Sequence, residues 1–256
     1  MSPSTLLSRI EDAGLNASAP PQQRWIDGWL VRFSAGKAKR ARCVNAVAEG
    51  RLPLADKLAL AQAVFDDAGL PMVLRITPFT QPASLDARLD AAGFQPIDDT
   101  RVMVSPDLGS LRALPLPDGL CWAPVDSAAF AHAVGALRGS PAGQREAHAE
   151  RLRLSPVPYR AWAIRREDDG AVVACGQYAR EAELVGLYDV FTDPAYRARG
   201  LAAILCSRLL AAARAQGART AYLQVDADNG PARRVYHRLG FTDGYAYHYR
   251  VRGGSG

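Results

Sequence analysis

Hydrophobic residues recur with helical spacing in three segments of the chain. In residues 201–216 they fall on one face, at positions 201, 204, 205, 209, 212 and 213, and Gly217 supplies a stop signal. Residues 54–68 show a second helix that also stops at a glycine, Gly69. Residues 231–239 predict a third, because apolar side chains recur there at i, i+3, i+4 and i+7.

Segments rich in strand-forming residues lie between these helices. Residues 221–225 alternate in pattern, and residues 172–177 and 184–191 are runs of β-favouring side chains. Residues 29–33 and 72–76 are the best strand candidates of the first half. Helices and strands are therefore mixed throughout, which predicts an α+β (mixed α/β) fold.

The two halves of the chain share a pattern. Residues 85–94 (LDARLDAAGF) resemble residues 232–241 (ARRVYHRLGF) at a shift of 147, and Gly69 and Gly217 lie 148 residues apart. Two features in one order at nearly one offset indicate a duplicated unit, with chance matching of short segments as the alternative. The proline-rich residues 106–117 lie where the halves should join. We therefore predict two domains, residues 1–112 and residues 113–252.

Composition narrows the class of protein only moderately. A chain of 256 residues with 48% hydrophobic and 22% charged residues is an ordinary globular protein. No run of 18 apolar residues is present, and the first residues lack the pattern of a signal peptide, so we expect a cytoplasmic protein without a membrane partner. The four cysteines are widely spaced without a Cys-x-x-Cys pair, which predicts buried thiols and no metal site.

The net charge of +5 suggests an acidic partner. Nucleic acid and a phosphorylated small molecule both fit that charge. Because no helix-turn-helix or aromatic RNA-binding motif accompanies it, we expect no nucleic-acid partner.

A short basic loop, residues 197–202 (RARGLA), joins the predicted strand 184–191 to the helix that follows. The first N–H groups of a helix lack internal acceptors and lie at the positive end of its dipole, so they favour an anion. Gly200 allows close approach of a phosphate, and Arg197 and Arg199 add positive charge. The loop therefore predicts a phosphate site, the alternative being a basic turn that only begins a helix.

The loop resembles the signature of the GNAT family of N-acetyltransferases, which is Gln or Arg, two residues, Gly, one residue, then Gly or Ala. Arg197, Gly200 and Ala202 occupy those positions. The family's other features follow in its order, namely a bulged strand at 188–192, the helix 201–216, the strand 221–225, Asn229, Tyr236 and Leu-Gly-Phe at 239–241. The resemblance is tight over residues 184–249 and looser over 118–252.

This resemblance implies two GNAT-like domains, each a mostly antiparallel twisted sheet flanked by helices. It assigns acetyl-CoA as co-substrate and no metal. The residues that it assigns to coenzyme A are Val190 and Thr192, whose backbone groups would pair with the pantetheine arm, the loop residues Arg197, Ala198, Arg199, Gly200, Leu201 and Ala202, and Asn229. Helix capping alone is the alternative role for Asn229.

Two residues are candidates for catalysis. The resemblance places Tyr236 where the family positions the group that protonates the departing thiolate, whereas its apolar neighbours favour a core residue. Asp189 is our candidate for the general base, because a carboxylate in an apolar strand costs stability unless it is paired or used. A surface or ion-paired carboxylate is the alternative, and Glu183 and Asp226 are weaker candidates for the base.

The first half lacks the residues of such a site. The shift of 147 maps the basic loop onto residues 50–55, which contain no Arg-x-x-Gly element and include Pro53, which has no N–H group. The tyrosine position maps to Leu89. We therefore expect a degenerate N-terminal domain. Its basic run at 36–42 could hold an anionic group of a ligand or form a solvated turn.

The expected activity is transfer of an acetyl group from acetyl-CoA to a primary amine of a small molecule or peptide. Direct attack is expected because no cysteine lies at the loop to form a covalent intermediate. The alternative is a non-catalytic acyl-CoA-binding regulatory module. We expect a monomer or a homodimer.

Overall fold

The computed structural model describes residues 3–36 and 38–253, so Lys37 of the basic run lies outside the described residues. In chain order the helices are α1 (Pro3–Ala17), α2 (Leu54–Asp67), α3 (Leu85–Ala91), α4 (Ser127–Leu137), α5 (Ala142–Arg153), α6 (Leu201–Ala215) and α7 (Gly230–Arg238). The strands are β1 (Gln23–Ile26), β2 (Trp29–Arg32), β3 (Val44–Ala46), β4 (Val73–Ile76), β5 (Phe94–Ser105), β6 (Leu120–Val125), β7 (Tyr159–Arg166), β8 (Val172–Glu181), β9 (Leu184–Thr192), β10 (Thr220–Asp226) and β11 (Thr242–Arg252). Helices mixed with mostly antiparallel strand pairs confirm the predicted class of fold.

The chain divides into two compact units, each built from separate segments. The larger unit consists of the residues up to Ala17, Val102–Val225 and Asn229–Gly244. The smaller unit consists of Ser18–Arg101, Asp226–Asp228 and the residues from Tyr245 onward. The two predicted domains, residues 1–112 and 113–252, are defined along the sequence, and their boundary stays a prediction.

The sheet of the larger unit runs β6-β7-β8-β9-β10, antiparallel from β6 to β9 and parallel between β9 and β10. Parallel neighbours need a crossover, and α6 provides it. The apolar face of α6 is buried in the main core through Leu205, Leu209 and Leu210, which pack with strand residues such as Val185 and Leu223. This packing confirms the helix predicted from hydrophobic spacing.

A second cluster of the larger unit lies under α4 and α5. Its buried members include Phe130 and Val134 of α4, Leu152 of α5, Ala163 of β7 and Cys175 of β8. Neither helix was predicted from the sequence. Among the helices of the described chain, none is long and apolar enough to cross a membrane.

The smaller unit has the strand order β1-β2-β3-β4-β11, with β3 and β4 parallel. Its core contains Trp29, Phe65, Leu74, Leu89 and Phe94, all at most 1% exposed. Leu89, the position that aligns with Tyr236, is therefore an apolar core residue.

The repeated sequence pattern corresponds to a repeated local structure. α3 is followed by Gly93 and Phe94, and α7 by Gly240 and Phe241. The two glycines have φ of +84° and +86°, the left-handed conformation that glycine favours at a helix end. Both phenylalanines are buried, so each repeat ends its helix and enters a core in the same way.

Candidate active site

The site lies where two parallel strands of the larger unit separate. β9 pairs with β10 only from Leu184 opposite Thr220 to Leu187 opposite Leu223, although both strands continue beyond that point. On its other edge β9 carries a bulge, because Gln177 pairs with Tyr188 but Cys175 pairs with Phe191. β9 therefore diverges from β10 before its carboxyl end, as the resemblance implies.

A cavity of about 730 Å³ opens at this divergence. Its walls are the end of β9, the basic loop with the first turn of α6, and α7. The predicted cofactor residues that line it are Val190, Thr192, Arg197, Ala198, Gly200, Leu201, Ala202 and Asn229. Arg199 is not among the lining residues, and its guanidinium lies 4.9 Å from the ring centre of Tyr196.

The basic loop reaches the helix through two residues with positive φ, Ala198 at +61° and Gly200 at +78°. The Gly200 carbonyl accepts hydrogen bonds from the N–H groups of Ala203 (3.0 Å) and Ile204 (3.1 Å). The N–H groups of Leu201 and Ala202 precede this first internal bond, at the positive end of the helix. A Cβ at Gly200 would meet no heavy atom within 4 Å, so glycine is favoured here by its φ and not by crowding.

The cavity is lined by positive charge without negative charge. Arg197, Arg234 and Arg238 line it, and no Asp or Glu is among its described lining residues. Arg234 and Arg238 are one turn apart on α7, so they project from one face of the helix. This pair was not predicted, although the spacing i, i+4 on the helix after Asn229 was a signal for it. The cavity is thus suited to a ligand with more than one anionic group.

Tyr236 lines the cavity while its ring packs on the core, 6.1 Å from the ring of Phe241. Burial raises the pKa of the phenol well above its ordinary value, so Tyr236 is protonated at neutral pH. Within the described residues its hydroxyl has no hydrogen-bond partner. Tyr236 therefore packs in the core, as its apolar neighbours predict, and also carries a hydroxyl that can donate a hydrogen bond.

Asn229 caps α7, because its side-chain oxygen accepts a hydrogen bond from the Ala232 N–H (3.2 Å). It also lines the cavity, so its assignment to the cofactor stays a prediction beside the confirmed cap.

Asp189 does not line the cavity and is held by other side chains. Its carboxylate accepts hydrogen bonds from Gln177 (2.8 Å) and Arg138 (2.9 Å), and His148 Nε2 lies 3.2 Å from Oδ2. Burial alone would raise the pKa of Asp189, but His148 and then Arg138 hold it well below its ordinary value. A carboxylate of such low proton affinity is poorly matched to base catalysis near neutral pH. The geometry thus favours the ion-paired alternative.

The weaker base candidates also do not line the cavity. Glu183 forms an ion pair with Arg9 (2.6 Å). Neither Glu183 nor Asp226 lines the cavity, and no carboxylate or histidine does so in the part of the chain that the structure describes. That part also holds no group of three or more His, Cys, Asp or Glu side chains that could bind a metal ion.

The corresponding loop of the smaller unit is closed by an internal carboxylate. Asp27 accepts hydrogen bonds from the N–H groups of Arg51 (2.9 and 2.8 Å) and Leu52 (2.8 Å), just before α2. A Cβ at Gly50 would lie 2.1 Å from the Asp27 carbonyl oxygen. The buried Lys57 ammonium donates to the carbonyls of Asp27 (2.8 Å) and Glu49 (2.6 Å). In the smaller unit, the Asp27 side chain thus occupies residues 50–55, the loop whose position in the repeat corresponds to the basic loop.

The sequence profile of the Acetyltransferase (GNAT) family matches residues 136–241. This segment therefore has the sequence pattern of the GNAT family. The match contains the end of β9, the basic loop, the first turn of α6 and most of α7, which together form the cavity.

Two curated relatives match shorter segments. The chain is 28% identical over 100 residues to an uncharacterised N-acetyltransferase of Methanocaldococcus jannaschii. This alignment covers 33% of this chain and 44% of that protein. It is 48% identical over 60 residues to the mycothiol acetyltransferase of Corynebacterium glutamicum. This second alignment covers 23% of this chain and 20% of that protein. The chain thus matches less than half the length of either relative.

Solved structures resemble much longer parts of the chain. A GCN5-related N-acetyltransferase from Kribbella flavida has a TM-score of 0.66 at 20% identity, with 97% of this chain and 96% of that chain covered. A tandem GNAT protein from the clavulanic acid biosynthesis pathway has a TM-score of 0.62 at 15% identity, covering 79% and 70%. These similarities establish the fold.

We expect Asp27→Asn to lower the thermal unfolding temperature at pH 7. The Leu52 and Arg51 N–H groups and Lys57 lower the pKa of Asp27, so its ionised form stabilises the folded state above the unfolded-state pKa of about 4. This contribution is lost as the pH falls through the still lower folded-state pKa. The difference between variant and wild type should therefore shrink under acidic conditions.

Thermal unfolding measured by circular dichroism from pH 7 to pH 3 would check this. Asp168→Asn, at an exposed hairpin carboxylate, is the control. An unfolding temperature of Asp27→Asn equal to that of wild type at every pH would contradict the stabilising role.

Proposed function

We propose that this protein transfers an acetyl group from acetyl-CoA to a primary amine of a small molecule or peptide. The match of residues 136–241 to the GNAT family supports acetyl transfer, and the nature of the acceptor is our proposal. The observation that carries it is the cavity at the divergence of β9 and β10, which joins an unpaired strand edge to a helix N-terminus.

The cavity offers separate contacts for the parts of acetyl-CoA. We assign the diphosphate to the N–H groups of Leu201 and Ala202 together with Arg197. We assign the pantetheine arm to the backbone of Val190 and Thr192, on the edge of β9 that β10 leaves free. The Thr192 hydroxyl is buried without a partner in the described residues, which supports a polar ligand group beside it.

We assign the Arg234 and Arg238 pair to the 3′-phosphate. The basic loop is assigned to the diphosphate. The cavity has further positive charge on α7, which can bind a second phosphate group. Neither arginine forms an ion pair with a carboxylate of the described chain, so both are available to a ligand.

Acetyl-CoA supplies the reactive thioester, and the chain supplies a proton donor. The Tyr236 hydroxyl is protonated and belongs to a residue that lines the cavity, so we assign it as the donor to the departing thiolate sulfur. Since no carboxylate or histidine of the described residues lines the cavity, we assign removal of the amine proton to solvent.

We further propose one cofactor per chain, with a degenerate smaller unit. The support is the Asp27 carboxylate at the loop that aligns with the basic loop, and the buried Leu89 at the tyrosine position.

A non-catalytic acyl-CoA-binding module is the second candidate. The absence of an ionisable base among the described cavity residues favours it. Release of free thiol from acetyl-CoA, measured over a panel of amino acids, polyamines, amino sugars and peptide N-termini, separates the two. Amine-dependent release supports the enzyme, and tight binding without release supports the module.

Gly200→Val should weaken acetyl-CoA binding on the order of tenfold or more, because a β-branched side chain at φ +78° strains the loop and projects into the cavity. Isothermal titration calorimetry measures this. Gly217→Val is the matched control, since Gly217 also has positive φ and open surroundings but lies beyond the other end of α6. Equal affinities of the two variants would refute the loop assignment.

Tyr236→Phe should lower kcat by about 10²- to 10⁴-fold while the Kd for acetyl-CoA stays nearly constant, because only the hydroxyl donor is lost. Steady-state kinetics and calorimetry check the two parts. Tyr196→Phe removes another hydroxyl from a residue that lines the same cavity and should retain turnover. Unchanged turnover of Tyr236→Phe would exclude the acid role.

The double substitution Arg234→Gln with Arg238→Gln should raise the Kd for CoA about tenfold, as expected for loss of charge-assisted contacts. It should leave the Kd for 3′-dephospho-CoA almost unchanged. Arg208→Gln, which removes a charge from α6 outside the cavity, is the control. If the affinities for both ligands fall equally, the 3′-phosphate lies elsewhere.

A further inference from the structure

The backbone of β9 turns sharply at Asp189. This residue has a φ of +51°, in the left-handed region that a residue with a Cβ seldom adopts. Asp189 lies two residues after Leu187, the last residue of β9 that pairs with β10, and directly before Val190, which lines the cavity. Aspartate adopts this conformation more readily than most residues with a Cβ, and contacts of its side chain can hold it there.

The surroundings of Asp189 fix it from three elements. Gln177 donates to its carboxylate from β8, across the bulge. Arg138 donates from the end of α4, and His148 contacts it from α5. The carboxylate is thus held by side chains from β8, the end of α4 and α5.

Arg138 also contacts the residue on the other side of Val190. Its guanidinium lies 5.5 Å from the ring centre of Phe191 while Nη1 is 2.9 Å from Asp189. Inside the bulge, Val190 packs near Gly176, where an added Cβ would lie 3.4 Å from its Cγ2. Arg138 therefore contacts the residues on both sides of Val190. Gly176, which lacks a side chain, leaves room for the Val190 side chain.

The charges around Asp189 suit a fixed ion pair. The groups facing it are Arg138, His148, Arg151 and the thiol of Cys175. Its side chain is 20% exposed, and the positive groups favour its ionised form. An ionised, fully engaged carboxylate is suited to holding backbone and poorly suited to accepting a proton.

We propose that Asp189 is a positioning residue, whose contacts with Arg138 and Gln177 hold the bulge of β9 and thereby place the backbone of Val190 and Thr192 for the pantetheine arm. This inference rests on the proposed cofactor site and replaces a proton-transfer role for Asp189. Arg138 is part of the same device, because it is bonded to Asp189 and stacked on Phe191.

The test compares Asp189→Ala, Asp189→Asn and Arg138→Gln with wild type. Calorimetry gives the Kd for acetyl-CoA without need of an amine, and kinetics give KM, kcat and the pH profile of kcat. Circular dichroism reports folding, and Asp168→Asn is the control for loss of a carboxylate.

We expect Asp189→Ala and Arg138→Gln each to raise Kd and KM for acetyl-CoA about tenfold, since a displaced backbone weakens a ligand that pairs with it. The pH profile of kcat should keep its shape. Asp189→Asn should recover most of the affinity, because its amide oxygen can accept from Arg138 and asparagine tolerates positive φ. The double variant Asp189→Ala with Arg138→Gln should bind no more weakly than Asp189→Ala alone.

Two results would overturn the inference. One is a fall of about a hundredfold in kcat for Asp189→Asn, with a lost limb of the pH profile and unchanged KM, which is the signature of a general base. The other is wild-type affinity in folded Arg138→Gln. If Asp189→Ala does not fold, Arg138→Gln and Asp189→Asn decide. A wild-type protein that binds acetyl-CoA but acetylates no amine contradicts the proposed function, and the Kd series still decides the role of Asp189.

Discussion

The separation of β9 from β10 beyond Leu187 is the constraint on which the rest of the candidate site depends. Backbone N–H and C=O groups need partners, and a strand that leaves its neighbour exposes a row of them. Val190 and Thr192, in the part of β9 that β10 leaves, line the same cavity as the N-terminus of α6. An unpaired strand edge and an unpaired helix end thus meet in one cavity, and a single ligand with an amide-containing arm and a phosphate can satisfy both.

The two units treat the loop before the corresponding helix in different ways. Before α2, the Asp27 carboxylate satisfies the N–H groups of Arg51 and Leu52, and Lys57 balances its charge. Before α6, no such carboxylate is present among the described cavity residues, and arginines add to the positive field instead. A loop that is satisfied from within stabilises the protein, whereas a loop that is left unsatisfied is available for a ligand.

The sequence allowed prediction where a helix or strand buries one regular face. α6 and α2 begin and end close to the predicted residues because their large apolar side chains repeat with helical spacing. α1 gave little signal, since it buries small residues such as Ala13 and Gly14, the latter close to Gln224. α5 buries only Leu152 completely, so it has almost no apolar stripe.

Site chemistry was predictable only where it resides in contiguous sequence. The basic loop is local, so Gly200 and its neighbours could be named from the sequence. The partners of Asp189 could not, because Arg138 and His148 are 51 and 41 residues away along the chain and meet it only through packing of α4 and α5 on the sheet. The apolar character of β9 showed that this carboxylate was unusual, but it could not distinguish a paired group from a reactive one.

The charge balance of the cavity bears on how an amine would react there. Tyr236 supplies a proton donor that stays protonated across the neutral range, while the cavity residues that the structure describes include no carboxylate or histidine to act as an acceptor. Under the proposed assignment the phosphates of bound coenzyme A neutralise Arg197, Arg234 and Arg238, so these arginines do not take the place of a base. Under the proposed function, deprotonation therefore precedes attack and is governed by the pKa of the acceptor itself. An acceptor with a low amine pKa is the kind that a site without a base favours.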